Sequence, residues 1–377
     1  MKKFVCIVLA MAMVACLFTG CSGKESKAGI QLGVIGPLTG GAAVYGNAVK
    51  NGAQLAVDEI NAKGGIQFEL NVQDDENDAE KSINAYNNLM DWGMDILVGT
   101  VTTTPCITVS AESYEDRVFT LTPSASSTQV TEGKDNVYQL CFNDPNQGTA
   151  SARYISEHFP DAKVAVIYDN GSAYSSGIYQ TFAAEAEANG MNVVSVSTCT
   201  EETTDFSVQV ADAKNAGADL VFLPIYYTPA SLILNHANAI GYEPTFFGVD
   251  GMDGILTLEG FDTSLAEGVM LLTPFAADAE DAATQAFVTA YEAAYGETPN
   301  QFAADAYDCI YAIYQAFMES GLDTNATTQE INDAMMAQFS TMTFSGLTGE
   351  DMTWTDGKVD KAPAAVVIEN GVYVAAD

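Results

Sequence analysis

Two clusters of hydroxyl side chains follow predicted strands of a parallel sheet. Thr102-Thr103-Thr104 comes directly after the strand predicted at 95–99. Ser124-Ala125-Ser126-Ser127 follows the strand predicted at 118–121. Hydroxyls and free backbone N–H groups at the start of the next helix can bind a carboxylate without any arginine. The alternative is simple N-capping, because Ser and Thr are common at helix starts. The residues alone leave both interpretations open.

A single acidic side chain, Asp250, follows a predicted strand in the second half of the chain, in the segment Phe246-Phe247-Gly248-Val249-Asp250-Gly251. A carboxylate at a strand end that faces a cleft is a suitable acceptor for an ammonium group, and the interaction becomes strong when water is excluded. The alternative is a turn Asp before Gly. The spacing to Asp253 lacks the third ligand position and the terminal Glu of an EF-hand, so no metal site is predicted.

Four aromatic residues occupy loop or helix-start positions. Tyr45 lies in the first loop, Tyr174 opens a predicted helix, Tyr226 follows the strand predicted at 219–223, and Phe302 begins a late helix. Aromatic side chains at such positions, outside helical stripes, are typical of a pocket wall, where a tyrosine hydroxyl is also available for polar contacts. Tyr227 is the alternative to Tyr226 if the register is shifted by one residue.

The elements that must position these residues form a repeated pattern of strands and helices. The first region alternates strand and helix at 31–35, 46–62, 67–73, 79–92 and 95–98. The second region does the same at 163–168, 175–189, 192–197, 205–216 and 219–223. Alternation at this spacing predicts parallel sheets with right-handed crossovers and helices on both faces. Two such lobes would enclose a cleft bordered by the carboxyl ends of both sheets, where α/β folds bind ligands.

The chain after the second region is mostly helical, with helices predicted at 280–295, 300–320 and 327–339 and a final strand pair near 364–368 and 371–374. A return to helices suggests that this part completes the first lobe. We therefore predict that the first lobe contains 30–142 and 276–345, and that the second contains 143–275 and 346–377. Three hinge crossings between the lobes follow, near 140–145, 270–276 and 343–350.

The amino terminus is typical of an exported lipoprotein. Met1-Lys2-Lys3 is basic, and an apolar run from Phe4 to Phe18 is too short to span a bilayer comfortably. Gly20-Cys21 then resembles a lipobox, in which the cysteine becomes the lipidated first residue. We therefore predict a signal peptide at 1–20 and a tether at 21–29. An ordinary secretory signal followed by a chance cysteine is the alternative.

Composition excludes several classes of function. The formal net charge is −36 and no basic patch is present, so nucleic-acid binding is not expected. Cys106, Cys141, Cys199 and Cys309 show neither CxxC nor metal spacing and are predicted to be buried free thiols; a disulfide remains the alternative. The two histidines lie in helical segments, and no nucleophile elbow or zinc-protease motif occurs. An enzyme is therefore not predicted, and no cofactor is expected.

Several motifs resemble those of the type I periplasmic-binding-protein lipoproteins, in particular the leucine/isoleucine/valine-binding proteins of branched-chain amino acid ABC transporters. The resemblance covers nearly the whole chain after the signal peptide. Its motifs are Gly36-Pro37-Leu38-Thr39-Gly40, Tyr45-Gly46, Asp58-Glu59-Ile60-Asn61, Gly64-Gly65-Ile66, Asp74-Asp75, Thr122-Pro123-Ser124-Ala125-Ser126, Phe247-Gly248-Val249-Asp250-Gly251 and Ala306-Tyr307-Asp308.

The resemblance assigns functions to individual positions. It implies that Thr103, Ser124 and Ser126 bind the α-carboxylate and part of the α-ammonium of an amino acid. It also implies that the four aromatic residues Tyr45, Tyr174, Tyr226 and Phe302 face the ligand. The partners implied are an ABC transporter permease and, through the lipid, the membrane, and the protein is expected to be an extracytoplasmic monomer. A sensor that binds the same ligand without any role in uptake is the alternative.

The scarcity of arginine restricts the ligand. Arg117 and Arg153 are the only arginines, and neither lies in a predicted cleft loop. A second carboxylate or a phosphate would normally require a bidentate Arg or a Lys. We therefore predict a net-neutral, mainly apolar amino acid, with leucine, isoleucine or valine first and an aromatic amino acid or an amide as alternatives. A cationic side chain would need another acidic group near Asp250, and Asp253 keeps that possibility open.

Overall fold

The computed structural model describes residues 29–376, which contain two β-sheets and the helices that cover them. The first sheet is parallel throughout, with the strand order β2-β1-β3-β4-β5. Its strands are β1 (Ile30–Gly36), β2 (Phe68–Asp74), β3 (Ile96–Gly99), β4 (Phe119–Thr122) and β5 (Val137–Gln139). The described helices are α1 (Ala43–Ala62), α2 (Ala79–Trp92), α3 (Thr103–Glu115), α4 (Asp144–His158), α5 (Ala173–Ala188), α6 (Ser207–Asn215), α7 (Tyr227–Ala239), α8 (Ala282–Tyr295), α9 (Gln301–Ser320) and α10 (Thr328–Phe339).

Helices cover both faces of the first sheet, and successive side chains of β1 point alternately to one face and to the other. Val34 is buried in the same apolar cluster as Val49 of α1, whereas Ile35 is buried with Leu89 of α2 on the opposite face. This is expected for a central parallel strand, which is apolar on both sides. The predicted buried stripe of α1 is confirmed, since its side chains at positions 49, 53, 56, 57 and 60 are all buried. α1 also packs along α9.

The second sheet is mixed, with the strand order β12-β11-β10-β9-β8-β6-β7. Its parallel strands are β6 (Lys163–Asp169), β7 (Asn192–Cys199), β8 (Leu220–Leu223), β9 (Thr245–Gly248) and β10 (Met270–Thr273). The hairpin β11 (Ala364–Glu369) and β12 (Val372–Ala375) extends it with antiparallel pairing. Its turn contains Asn370 and Gly371 at positive φ, which suits the two-residue connection. The predicted fold class, two α/β lobes with parallel sheets, is confirmed.

Most predicted helices begin or end within two or three residues of the observed positions. The largest shift is at α1, which begins at Ala43, three residues before its predicted start. Three connections join the two parts of the fold. The chain passes from the first sheet to the second after β5, leaves the second sheet after β10, and returns to the second sheet between α10 and β11. The residue limits of the two lobes and of the hinges remain predictions.

A buried ion pair fastens the last of these connections to α9. Lys361 Nζ lies 2.6 Å from Asp305 Oδ1 and donates to Thr348 Oγ1 at 2.6 Å. Asp308 accepts the backbone N–H groups of Leu347 and Thr348, both at 2.9 Å. Burial raises the pKa of Asp305 to about 6, although Lys361 opposes this shift. The segment after α10 is thus held against α9 by charges that have been removed from water, where breaking one partner is costly.

The thiols Cys106, Cys141, Cys199 and Cys309 are free and buried, as predicted. The signal peptide at 1–20 and most of the predicted tether, including the lipidation site Cys21, lie outside the described residues. Within 29–376, no helix has both the length and the apolar character needed to cross a bilayer.

Candidate functional site

A small cavity lies between the two lobes, at the carboxyl ends of the strands. Its volume is about 10 Å³, which is room for about one water molecule. Its lining residues are Tyr45, Val101, Thr102, Thr103, Ser124, Ser126, Tyr174, Tyr226, Asp250, Gly251 and Phe302. The structure therefore brings all eight residues that the sequence predicted for ligand binding to one place.

The first-lobe wall is formed by hydroxyl groups and the start of α3. Thr102 is the N-cap residue of α3, but its side chain makes no capping hydrogen bond. Among the described residues its hydroxyl has no hydrogen-bond partner, and the buried hydroxyl of Ser126 lies beside the Asp144 carboxyl without a hydrogen bond of good geometry. The Ser124 hydroxyl donates to the Val101 carbonyl. N-capping therefore does not explain Thr102, and a helix N-terminus beside an unpaired hydroxyl is suited to a negatively charged group.

The second-lobe wall contains Asp250, a residue that is 5% exposed. The Tyr174 hydroxyl donates to Asp250 Oδ1 at 2.5 Å, and the Asp250 backbone N–H donates to Gln147 Oε1 at 3.2 Å. Burial raises the pKa of Asp250 to about 7, and the contacts of Asp250 with the Tyr174 hydroxyl and the Gln147 side chain only partly oppose this increase. A positive charge beside Asp250 would stabilise its ionised form, and a bound ammonium group supplies such a charge.

A second buried carboxyl, Asp144, stands behind the first-lobe wall. Its backbone N–H donates to the Ser126 carbonyl at 3.0 Å, and neither of its carboxyl oxygens has a hydrogen bond of good geometry. Burial raises the pKa of Asp144 well above its usual range, with Asp250 adding to the shift and the Ser126 hydroxyl opposing it. Burial thus favours the neutral form of Asp144, and Asp250 is the carboxylate that lines the cavity.

Aromatic rings close the rest of the cavity. The Tyr45 ring centroid lies 5.3 Å from that of Tyr226 and 4.6 Å from that of Phe302, and the rings of Tyr174 and Tyr226 are 4.9 Å apart. The Tyr45 hydroxyl donates to the Gly251 carbonyl of the other lobe. The structure also decides the register of the tyrosine pair, because Tyr226 lines the cavity and Tyr227 does not.

Tyr227 instead helps to hold the lobes together. Its hydroxyl accepts the Val44 backbone N–H at 3.2 Å, and its own backbone N–H donates to the Tyr45 hydroxyl at 3.3 Å. Thr228 Oγ1 adds a further contact by donating to the Gly41 carbonyl at 2.6 Å. The first turns of α1 and α7 therefore meet across the cleft in this closed arrangement.

In the part of the chain that the structure describes, no Lys, Arg or His lines the cavity. Arg117 pairs with Asp135 at 2.6 Å, and Arg153 pairs with Glu185 at 2.9 Å, both at the surface. Asp253 does not line this cavity; its Oδ2 accepts the Gln301 backbone N–H at 3.1 Å. Among residues 29–376, no group of His, Cys, Asp or Glu is arranged to hold a metal ion.

Gly251 and Gln147 belong to the site but were not singled out from the sequence. A Cβ atom on Gly251 would lie 2.5 Å from the Tyr174 hydroxyl and 2.9 Å from Tyr226 Cδ1, so only glycine fits between these rings. Gln147 reaches Asp250 from α4, a helix that the sequence analysis did not predict. The only sequence feature that could have indicated these two residues is the Asp250-Gly251 pair, and such a pair predicts a turn, not a contact between lobes.

A family profile described as periplasmic binding protein matches residues 29–371. The chain belongs to the periplasmic binding protein family. This is a family of solute-binding proteins that act outside the cytoplasm, which agrees with the predicted absence of an enzymatic role. The resemblance noted in the sequence is thereby confirmed.

Relatives within this family carry related names. The Leu/Ile/Val-binding protein BraC3 of Rhizobium johnstonii is 36% identical over 60% of this chain and 63% of its own length. The matched part therefore spans less than two thirds of that relative. The leucine-, isoleucine-, valine-, threonine- and alanine-binding protein of Pseudomonas aeruginosa is 26% identical over 82% of each chain.

A solved structure with the same fold is that of the branched-chain amino acid transporter substrate-binding protein LivJ from Streptococcus pneumoniae in complex with isoleucine. It superimposes with a TM-score of 0.83, at 29% sequence identity, over 93% of this chain and 99% of its own.

Proposed function

We propose that this protein is the extracytoplasmic substrate-binding component of an ABC importer and that it captures a small, net-neutral amino acid between its lobes. The observation that carries the proposal is the cavity itself, where the N-terminus of α3, which has no side-chain cap, and a buried carboxyl lie on opposite walls. An α-amino acid carries a carboxylate and an ammonium group on one carbon, and each wall suits one of them.

The α-carboxylate is assigned to the first-lobe wall. Thr103 begins α3, and the unpaired hydroxyl of Thr102 lies beside it, with Ser124 and Ser126 on the same wall. A buried hydroxyl without a partner costs free energy that a ligand oxygen or ammonium hydrogen recovers. The α-ammonium is assigned to Asp250, which Tyr174 holds in position.

The side chain of the ligand is assigned to the aromatic wall. Tyr45, Tyr226 and Phe302 present ring surface, and Val101 adds an aliphatic contact. Each methylene group buried there contributes roughly 0.8 kcal/mol. Because no cationic side chain of residues 29–376 lines the cavity, a second carboxylate would be unpaired. Leucine, isoleucine and valine are therefore the first candidates, as in the names of the relatives, and an aromatic amino acid or an amide is second.

Binding requires the lobes to separate. The cavity has room for about one water molecule, so an amino acid cannot occupy it in this arrangement. We infer that the lobes open about the three connections between the sheets, that the ligand enters, and that closure brings both walls into contact with it. Only a closed form makes both sets of contacts, so the ligand would select it.

The lipid anchor, the monomeric state and the permease partner are part of the same proposal. Lipidation of Cys21 would anchor the protein to the outer face of the cell membrane, where a monomer could deliver its ligand to a permease. A sensor with the same site would bind but would not support uptake. Loss of leucine uptake after deletion of the gene would favour the importer, whereas unchanged uptake with intact binding would favour the sensor.

The direct test of ligand class is calorimetric titration with leucine, isoleucine, valine, phenylalanine, glutamate and arginine, each separately. Saturable binding of the branched-chain three, with recovery of chemically unchanged ligand, is expected. Glutamate and arginine are the matched controls, because each adds one charge that the cavity does not neutralise. Tight binding of either, without the apolar amino acids, would contradict the proposed ligand.

A further inference from the structure

The turn that carries Asp250 also makes contacts across the cleft that lie outside the small cavity. This turn, at 250–253, follows β9 of the second sheet. Gln301, which contacts it, begins α9, and α9 packs along α1 on the first sheet. Gln301 is 2% exposed and is not among the residues that line the cavity. Its contacts with the turn therefore join the two lobes beside the ligand site.

Gln301 contacts the turn through both its side chain and its backbone. Its Nε2 donates to the Asp250 carbonyl at 3.2 Å, and its backbone N–H donates to Asp253 Oδ2 at 3.1 Å. The Gln301 side chain also lies beside the Asp253 carboxyl. A backbone N–H in the first turn of a helix has no partner within the helix, so Asp253 supplies an acceptor that α9 itself lacks. Separation of the lobes would break both hydrogen bonds.

Gln147 holds the same peptide from within the second lobe. The Asp250 backbone N–H donates to Gln147 Oε1 at 3.2 Å, and Gln147 Nε2 donates to the Phe142 carbonyl at 2.9 Å. Gln147 belongs to α4, whose apolar side chains are buried with those of the second sheet. The Gln147 contact should therefore persist when the lobes open, whereas the Gln301 contacts require closure.

We propose that Gln301 is a positioning residue for the amino acid site, which binds the Asp250 turn only when the lobes close and so holds the carboxyl against the bound ammonium group. This inference rests on the proposed function, in which Asp250 binds the α-ammonium. The Tyr45 hydroxyl contacts the same turn, since it donates to the Gly251 carbonyl. Closure and the placement of Asp250 are then one event, and the lifetime of the complex depends on Gln301.

Gln301→Met tests the side-chain contact, because methionine has a similar length and helix propensity but no amide donor. Leucine should bind about 2- to 13-fold more weakly, since one hydrogen bond of the closed form is lost. Stopped-flow measurements should show faster dissociation by the same factor and an unchanged association rate, because the ligand enters the open form. Calorimetry should give the wild-type stoichiometry, which a misfolded variant would not. An unchanged dissociation rate would overturn the proposal.

Gln301→Glu is a stronger perturbation of the same contact. It places a carboxylate beside Asp253 and against the Asp250 carbonyl in the closed form, whereas water solvates that carboxylate in the open form. Leucine binding should weaken by roughly 100-fold or more. Gln315→Met, at the surface of the same helix, is the matched control and should change neither rate. Wild-type affinity in Gln301→Glu would refute the proposed role.

Small-angle X-ray scattering distinguishes a failure of this inference from a failure of the proposed function, because it detects closure directly. Gln301→Glu should have a larger radius of gyration than the wild type, both without ligand and at a leucine concentration that saturates the wild type. If the wild type does not bind leucine, the proposed function fails, and the comparison without ligand still tests Gln301. Equal radii of gyration under both conditions would refute the role of Gln301 in closure.

Discussion

Replacing Asp250 by asparagine should have opposite effects on ligand binding and on the stability of the free protein. Asparagine keeps the side-chain shape and an oxygen that can accept the Tyr174 hydroxyl, so the substitution removes little besides the charge. A bound α-ammonium group would then be buried without a counter-ion. This costs about 3–5 kcal/mol, which corresponds to a loss of affinity of roughly 150- to 4,000-fold.

The free protein should respond in the other direction. Burial raises the pKa of Asp250 from 3.8 to about 7. The folded state therefore binds the proton more tightly than the unfolded state, and stability declines as the pH rises from about 4 to about 7. At pH 8 the ionisation of Asp250 lowers the free energy of unfolding of the wild type by at most about 4 kcal/mol. The asparagine variant has no such ionisation and keeps this stability. The variant should be more stable than the wild type at about pH 8, and the difference should diminish towards pH 4.

Two measurements on the same samples test both effects. Calorimetry with leucine gives the dissociation constant, and urea denaturation without ligand at about pH 8 and pH 4 gives the free energy of unfolding. Glu243→Gln is the matched control, because Glu243 is exposed on the segment just before β9, whereas Asp250 follows the same strand. An unchanged dissociation constant would show that Asp250 is only a turn residue. Lower stability of the variant at pH 8 would refute the argument from burial.

Three further predictions use the same site and the amino terminus. Leucine binding should weaken by up to about tenfold per pH unit as the pH falls below about 7, because the ammonium requires ionised Asp250; calorimetry should find no such trend in Asp250→Asn. Gly251→Ala should weaken leucine binding by about 5- to 150-fold, because its Cβ would displace the Tyr174 and Tyr226 rings at a typical cost of about 1–3 kcal/mol. An unchanged affinity would show that the rings can move freely. Cys21→Ser should abolish palmitate labelling and move the protein from the membrane to the soluble fraction; labelling at the wild-type level would contradict the lipobox assignment.

The fold and the lining of the small cavity were largely predictable because both follow from local patterns. The buried stripe of α1 has helical period, and parallel strands in α/β folds direct the residues after them to one edge of the sheet. The positions of Thr103, Ser124 and Asp250 follow from that rule. Their role in ligand binding rests on the family resemblance and is a proposal.

The features that were missed depend on contacts between distant parts of the chain. Gln147 meets Asp250 across 103 positions, and Lys361 meets Asp305 across 56. α4 was not predicted, because it begins with Asp144-Pro145 and carries few apolar residues in its first turns. A larger cavity of about 890 Å³ forms where α1, α8 and the β11–β12 hairpin come together, and no local pattern indicates such a meeting.

The four buried thiols have a practical consequence for labelling. Burial raises the pKa of Cys106 to about 11 and of Cys199 to about 12, and those of Cys141 and Cys309 also lie well above their usual range. Thiolate is the form that reacts with maleimides, so these side chains should stay unmodified at neutral pH. A single cysteine introduced at exposed Glu201, whose carboxylate accepts from Asn77 of the facing lobe at 3.4 Å, would then carry the only dye on a chain that begins after Cys21. Its fluorescence would report the opening and closing of the cleft without replacement of any of the four buried cysteines.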